Sequence, residues 1–180
     1  MIPMTLRAIA LALIIATAST ALPANSIEYP PNNAEFFLQL PDGYKTKTNP
    51  DGSIIGIGPK VVIALIAMSG VESGTAAKNA LPELIKNFFV RTLLFQDVQV
   101  QDVADRKIQK DDGDVAVNVL TASGKNSDGR AVAITATAFA SEQGHYFVFS
   151  TAARPEDKDE ANKTSREILG TMTRATNEED

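Results

Sequence analysis

Lys60–Met68 reads KVVIALIAM, and this almost unbroken apolar run decides the fold class. A strand with one face in water alternates apolar and polar residues, whereas a strand that is buried on both faces loses that alternation. We therefore predict a central strand here, covered on both sides by helices or loops. Gly58-Pro59 separates it from a short strand over residues 53–57.

The segment after this strand predicts a helix. Asn79 is interpreted as its N-cap, and Pro82 as a residue of its first turn, where the missing N–H removes no helical hydrogen bond. One core-facing stripe is formed by Leu81, Leu84, Ile85, Phe88, Phe89 and Phe95. Val90 and Leu94 project to the opposite side. Two interpretations stay open: a loop covers this pair, or the pair is an exposed apolar ridge that serves a partner.

From Asp97 onward the apolar period changes to two, which is typical of half-buried strands. Short turns rich in Gly, Asp and Asn separate these strands, so they are expected to be consecutive antiparallel neighbours in a meander. A last helix is predicted to begin at Pro155. The predicted fold class is α+β, an antiparallel β-sheet meander flanked by two main helices.

The first segment has the pattern of a secretory signal peptide. Met1–Arg7 carries one positive charge, the run Ala8–Ala18 is apolar, and small residues follow. We expect cleavage near Ala21 or Ala24, a periplasmic or secreted protein, and no membrane insertion after cleavage. The predicted organisation is a signal peptide over 1–24, an N-terminal leader over 25–33, a single α+β domain over 34–174 and an acidic tail over 175–180.

Composition excludes several function classes. The 180-residue chain has a formal net charge of −5, and loss of residues 1–24 removes Arg7 and no acidic residue. Nucleic acid and anionic membrane surfaces are therefore poor partners, because both require clustered Lys and Arg. The chain contains no cysteine, which excludes disulfides, thiolate nucleophiles and zinc–cysteine sites. No cofactor and no resident metal are expected.

His145 is the sole histidine, and it is the candidate general base. A catalytic role would need a nearby hydroxyl and an orienting carboxylate; Ser141 lies across the same turn, whereas Ser150 falls on the other strand face. Three turns rich in Asp and Asn (residues 49–52, 111–114 and 126–129) match turn chemistry better than the spacing of a calcium loop. A weak Ca²⁺ site at these turns stays an open alternative.

Ala34–Leu40 predicts a strand that leads into the turn Pro41-Asp42-Gly43, across which Tyr44–Thr48 could pair back. The stretch FFLQLPDGY (Phe36–Tyr44) resembles the opening strand and turn of PsbP-type and DcrB-like proteins, and the later order of elements is also similar over about residues 34–174. This resemblance implies an exported α/β sandwich of a family known mainly for binding or assembly. DcrB-like relatives are envelope lipoproteins, whereas this chain has no cysteine to carry a lipid. Pro41, Gly43 and Tyr44 match the motif and are assigned a structural role.

The sequence therefore favours a non-catalytic exported module that contacts an envelope protein or a small ligand. The alternative is a hydrolase that uses His145 or a carboxylate pair, and the oligomeric state is left open. Two candidate interaction surfaces follow from the pattern: the ridge of Val90 and Leu94, and a rim containing Tyr44, His145 and Arg154.

Overall fold

Two antiparallel sheets and two helices form the structure, which is a computed structural model that describes residues 25–110 and 113–175. The elements in chain order are β1 (Ser26–Tyr29), β2 (Phe36–Gln39), β3 (Lys45–Thr48), β4 (Ile54–Ile57), β5 (Val61–Met68), α1 (Gly74–Arg91), β6 (Gln96–Lys110), β7 (Gly113–Lys125), β8 (Ala131–Ala140), β9 (Tyr146–Ala153), a 3₁₀ turn (Pro155–Asp157), α2 (Lys158–Gly170) and β10 (Thr173–Arg174). The larger sheet has seven strands in the order β3-β4-β5-β9-β8-β7-β6, and the smaller sheet has the order β1-β2-β10. The predicted α+β fold class is confirmed.

Strand β5 lies inside the larger sheet, paired with β4 on one side and β9 on the other. Its side chains alternate between two separate apolar cores. Ala64, Ile66 and Met68 belong to the core under α1. Val61, Ile63 and Leu65 belong to the core formed with α2, β1 and β2 on the opposite face. The prediction of a central strand buried on both faces is thus confirmed.

Strands β6 to β9 are consecutive neighbours, as the predicted meander requires. Strand β7 pairs with β8 only from Asn118 to Lys125, so its first residues extend beyond the end of β8. Val115 and Val117 lie on this extension and pack into the core on the α2 side of the sheet. The extended β6–β7 hairpin therefore forms a wall next to the smaller sheet.

The predicted leader over 25–33 contains a strand of the fold. Ile27 and Tyr29 alternate with polar residues, and both are buried because β1 pairs with β2. Of the predicted acidic tail, Ala175 is buried, and its N–H donates to the backbone carbonyl of Glu35 at 3.0 Å. The predicted signal peptide and residues 176–180 lie outside the described residues.

Helix α1 begins earlier than the sequence indicates. Ser73 is its N-cap and accepts a hydrogen bond from the N–H of Ala76 at 3.2 Å, so Asn79 and Pro82 lie inside the helix. Ala77 and Leu81 are fully buried, and this packing outweighs the backbone bond that Pro82 cannot make. Among residues 25–110 and 113–175, neither helix is long and apolar enough to cross a membrane.

Two buried serines provide a test of this packing. The Ser150 hydroxyl has no hydrogen-bond partner among the described residues, whereas the Ser53 hydroxyl donates to Asp51 Oδ1 at 2.6 Å and accepts from Asn49 Nδ2 at 2.9 Å. An unpaired buried polar group costs about 1–3 kcal/mol. Ser150→Ala should therefore leave the free energy of unfolding unchanged or raise it by about 1 kcal/mol, while the matched control Ser53→Ala should lower it by about that amount. Urea unfolding measures the free energy of unfolding of both variants. An equal loss of stability in both would contradict the conclusion that the Ser150 hydroxyl is unpaired and the Ser53 hydroxyl is paired.

Candidate functional site

Glu35 lies directly before β2 and is the one buried acid that bridges the two sheets among the described residues. Its side chain is 4% exposed. Ser141 Oγ donates to Glu35 Oε2 at 2.5 Å, and His145 Nδ1 lies 2.6 Å from Glu35 Oε1. An ionised carboxylate only accepts hydrogen bonds, so the ring nitrogen is the donor. The three side chains form what we call the Glu35 cluster.

The turn between β8 and β9 places both partners of Glu35. The N–H of Ser141 donates to the carbonyl of His145 at 2.8 Å, and the N–H of Gly144 donates to the carbonyl of Ser141 at 3.0 Å. Gly144 has φ +84°, a conformation that glycine adopts without a steric penalty. This turn therefore holds the two side chains on one side, facing Glu35.

The order of the contacts in the Glu35 cluster differs from that of a catalytic triad. In a triad the imidazole lies between the hydroxyl and the carboxylate, and takes the proton of the hydroxyl. Here the carboxylate lies between the other two groups, and among the described residues no hydrogen bond joins the Ser141 hydroxyl to the His145 ring. The cluster is arranged to fix the turn against β2.

A cleft of about 210 Å³ opens beside Glu35, between the β8–β9 turn and β10. Apolar side chains from β2, β7, β8 and the segment before β10 line it: Phe36, Val115, Phe139 and Met172. Three of these side chains also line a smaller, wholly apolar cavity below it. We call this feature the Glu35 cleft.

Charged side chains close the mouth of the Glu35 cleft. Arg174 NH1 and Glu142 Oε2 are 2.7 Å apart and form an ion pair, with both side chains about two-thirds exposed. A second hollow lies on the other side of Glu35, against His145 and the turn that follows β5. Glu35 thus forms part of the wall of both openings.

The structure does not bring the predicted rim together. His145 directly precedes β9 and Arg154 directly follows it, which separates them by roughly 30 Å along an extended strand. Arg154 pairs with Asp157, its NH2 lying 2.8 Å from Oδ2, and so stabilises the turn before α2. Of the predicted rim residues, His145 contacts Glu35, and it lines the second hollow rather than the Glu35 cleft.

Tyr44 packs against the far end of the larger sheet from His145. Its ring covers Gly58, where an added Cβ would lie 2.5 Å from Tyr44 Cζ. Burial raises the pKa of Tyr44, and a hydrogen bond with Thr164 of α2 partly offsets that rise. These contacts support the structural role that the motif assigned to Tyr44.

Val90 and Leu94 are both exposed, at 40% and 65%, so no described loop covers them. Val90 lies in the last turn of α1, whereas Leu94 lies beyond the helix, in a turn where its φ is +58°. The two residues therefore do not share a helix face, because the helix ends at Arg91.

Hydrogen bonds within the turn explain two of the three Asp-rich turns. Asp51 Oδ1 accepts from the Ser53 hydroxyl at 2.6 Å and from the N–H of Ser53 at 2.9 Å, and these two contacts lower the pKa of Asp51. Asn126 Oδ1 accepts from the N–H groups of Asp128 and Arg130. Residues 111 and 112 lie outside the described residues. Within the described ranges, no group of three or more His, Asp or Glu side chains is placed to hold a metal ion.

Sequence reasoning missed Glu35, although it named both of its partners. Glu35 is separated from Ser141 and His145 by 106 and 110 residues, so no local spacing relates them. The available signal was an acidic residue near the start of a mostly apolar stretch, AEFFLQL.

Comparison with solved structures identifies the fold. The cyanobacterial PsbP protein (CyanoP) of Synechocystis sp. PCC 6803 matches with a TM-score of 0.57 and 8% identity, over 89% of this chain and 99% of that one. The Ran-binding protein Mog1p of Saccharomyces cerevisiae matches with a TM-score of 0.52 and 10% identity, over 82% of this chain and 93% of that one. The PsbP-type resemblance is therefore confirmed at the level of the fold. No protein-family model and no curated protein matches the sequence.

The Glu35 cluster makes a prediction about stability. Glu35→Gln keeps the side-chain volume but removes the negative charge, so the charge-assisted hydrogen bonds of Ser141 and His145 are replaced by weaker neutral ones, with the Ser141 hydroxyl turned to accept from the new NH₂ group. We expect a loss of about 1–3 kcal/mol in the free energy of unfolding. Glu142→Gln, the matched control at the exposed mouth, should cost less than about 1 kcal/mol. Urea titration measures both, and equal effects would contradict the assigned role of Glu35.

Proposed function

We propose that the protein is an exported, non-catalytic binding or assembly module, and that it holds an envelope protein or a small ligand at the Glu35 cleft. The observation that carries the proposal is the cleft itself, an apolar floor beside a buried carboxylate that is held by one hydrogen bond on each oxygen. Concave, mostly apolar sites with a few fixed polar groups are the usual form of ligand sites. The shared fold adds support, because Mog1p is a Ran-binding protein.

Export is supported by the signal-peptide pattern of residues 1–24 and by the contacts of Asn25. Its carbonyl accepts from the N–H of Leu40 at 3.0 Å, and its side-chain Nδ2 donates to Asp42 Oδ1 at 2.7 Å. Strand β1 begins at the next residue. Cleavage after Ala24 would therefore leave every described strand intact.

This part of the proposal is tested by the mass of the processed protein. After expression of the full chain in a Gram-negative bacterium, the osmotic-shock fraction should contain a protein that begins at Leu22 or Asn25. Ala21→Lys combined with Ala24→Lys should block processing, because the cleavage site requires small residues. A full-length protein confined to the cytoplasm would contradict export.

The binding site is tested by crosslinking from two positions. A photoreactive p-benzoylphenylalanine at Gln143, on the rim of the Glu35 cleft, should yield an adduct in envelope extracts, and the same residue at Val90 should not. Val115→Phe fills the cleft and should abolish the adduct at position 143. Val119→Phe, on the same strand and face but outside the cleft, is the matched control. Adducts at Val90 alone would favour the α1 surface instead.

A hydrolase is the second candidate, and the contact of Ser141 and His145 with one carboxylate is the observation in its favour. The central position of the carboxylate argues against it, since the ring is not placed to accept the hydroxyl proton. Turnover of p-nitrophenyl esters that is lost in Ser141→Ala would establish the hydrolase. No turnover above that of Ser141→Ala is the expected result.

A further inference from the structure

We infer that the Glu35 cleft binds a small organic cation, namely an ammonium group carried on a short apolar body. This inference rests on the proposed function, since it names the chemistry of the ligand for the same site. Size is the first argument. At about 210 Å³ the cleft is smaller than the roughly 300–1,000 Å³ of sites for drug-sized ligands. It fits a chain of a few carbons, or one ring.

The floor of the cleft requires that this body be apolar. Phe36 and Phe139 pack edge to face with their ring centroids 5.6 Å apart, and Val115 and Met172 complete the lining. The wholly apolar cavity of about 20 Å³ beneath it continues this surface. A polar body would lose its hydration there without finding partners.

The charges at the mouth decide the sign of the head group. Two carboxylates, Glu35 and Glu142, line the cleft against one guanidinium, Arg174. An anion at Arg174 would compete with Glu142 for the guanidinium, and it would be repelled by both acids. A cation meets an excess of negative charge, and the net charge of −5 for the chain acts in the same direction.

Hydrogen-bonding capacity leads to the same choice. A carboxylate has about four lone-pair positions. Glu35 uses one on each oxygen, for Ser141 and for His145, so acceptor positions remain for an N–H donor. The Ser141 hydroxyl already donates its one hydrogen bond to Glu35, so it has no donor left for an anion.

The test compares three probes of one chain length: hexylamine, hexanol and hexanoate. Protein labelled with ¹³C at the methionine methyl groups reports the site, because Met172 lines the Glu35 cleft and Met68 lines the second hollow beyond Glu35. Hexylamine should shift the Met172 signal with a Kd on the order of 1 mM. Hexanol should bind at least about tenfold more weakly, and hexanoate more weakly still.

Three variants test whether the shift of the Met172 signal comes from hexylamine bound in the Glu35 cleft. Glu142→Gln should weaken hexylamine binding about threefold, because it removes one of the two negative charges. Val115→Phe should abolish the shift by filling the cleft. Val119→Phe should leave it unchanged.

The outcomes separate this inference from the proposed function. If hexanol or hexanoate binds as tightly as hexylamine, the cleft is a binding site but the inferred charge is wrong. If hexylamine shifts Met68 and not Met172, the amine occupies the second hollow and the inference is overturned. If none of the probes shifts Met172 up to about 100 mM, the proposed binding site itself fails.

Discussion

The arrangement of this protein around its cleft depends on one buried carboxylate. Glu35 joins the smaller sheet to the turn between β8 and β9 through Ser141 and His145, and its backbone carbonyl also holds Ala175 after β10. Removing a carboxylate from water costs several kcal/mol unless it is hydrogen-bonded. Two short bonds to its oxygens offset that cost. They also fix the distance between the two walls of the cleft.

The fold around this contact is explained by which faces must be covered. Strand β5 is apolar on both faces, so each face of the larger sheet needs its own cover. Helix α1 covers one face. On the other face α2 packs beside the smaller sheet of β1, β2 and β10, and the two together form the covering layer. The cleft lies where this composite layer meets the extended β6–β7 hairpin. The opening there is concave and mostly apolar because side chains from both parts line it.

Much of this architecture could be predicted from the sequence, because it rests on local periodicity. The run Val61–Met68 and the alternating residues of β7 to β9 follow from period and turn chemistry. Strand β1 could not be predicted from the sequence, because only Ile27 and Tyr29 show the alternation of a strand within a polar, proline-rich segment. The start of α1 was misjudged because Pro82 resembles a first-turn residue, whereas the burial of Ala77 and Leu81 extends the helix before it. The segment Tyr44–Thr48 was predicted to pair back with β2, but its strand, Lys45–Thr48, pairs with β4, and β2 lies in the other sheet. Of the candidate site, His145 was named, but Glu35 is related to it only through the tertiary structure.

The central claim is that Glu35 and the β8–β9 turn act as one unit that builds the cleft. A double-mutant cycle on the free energy of unfolding, with Glu35→Gln, Ser141→Ala and the double variant, measures their coupling directly. The account predicts a coupling energy of roughly 1–3 kcal/mol, as for groups that share one hydrogen-bond network. Additive effects, with a coupling energy near zero, would contradict it.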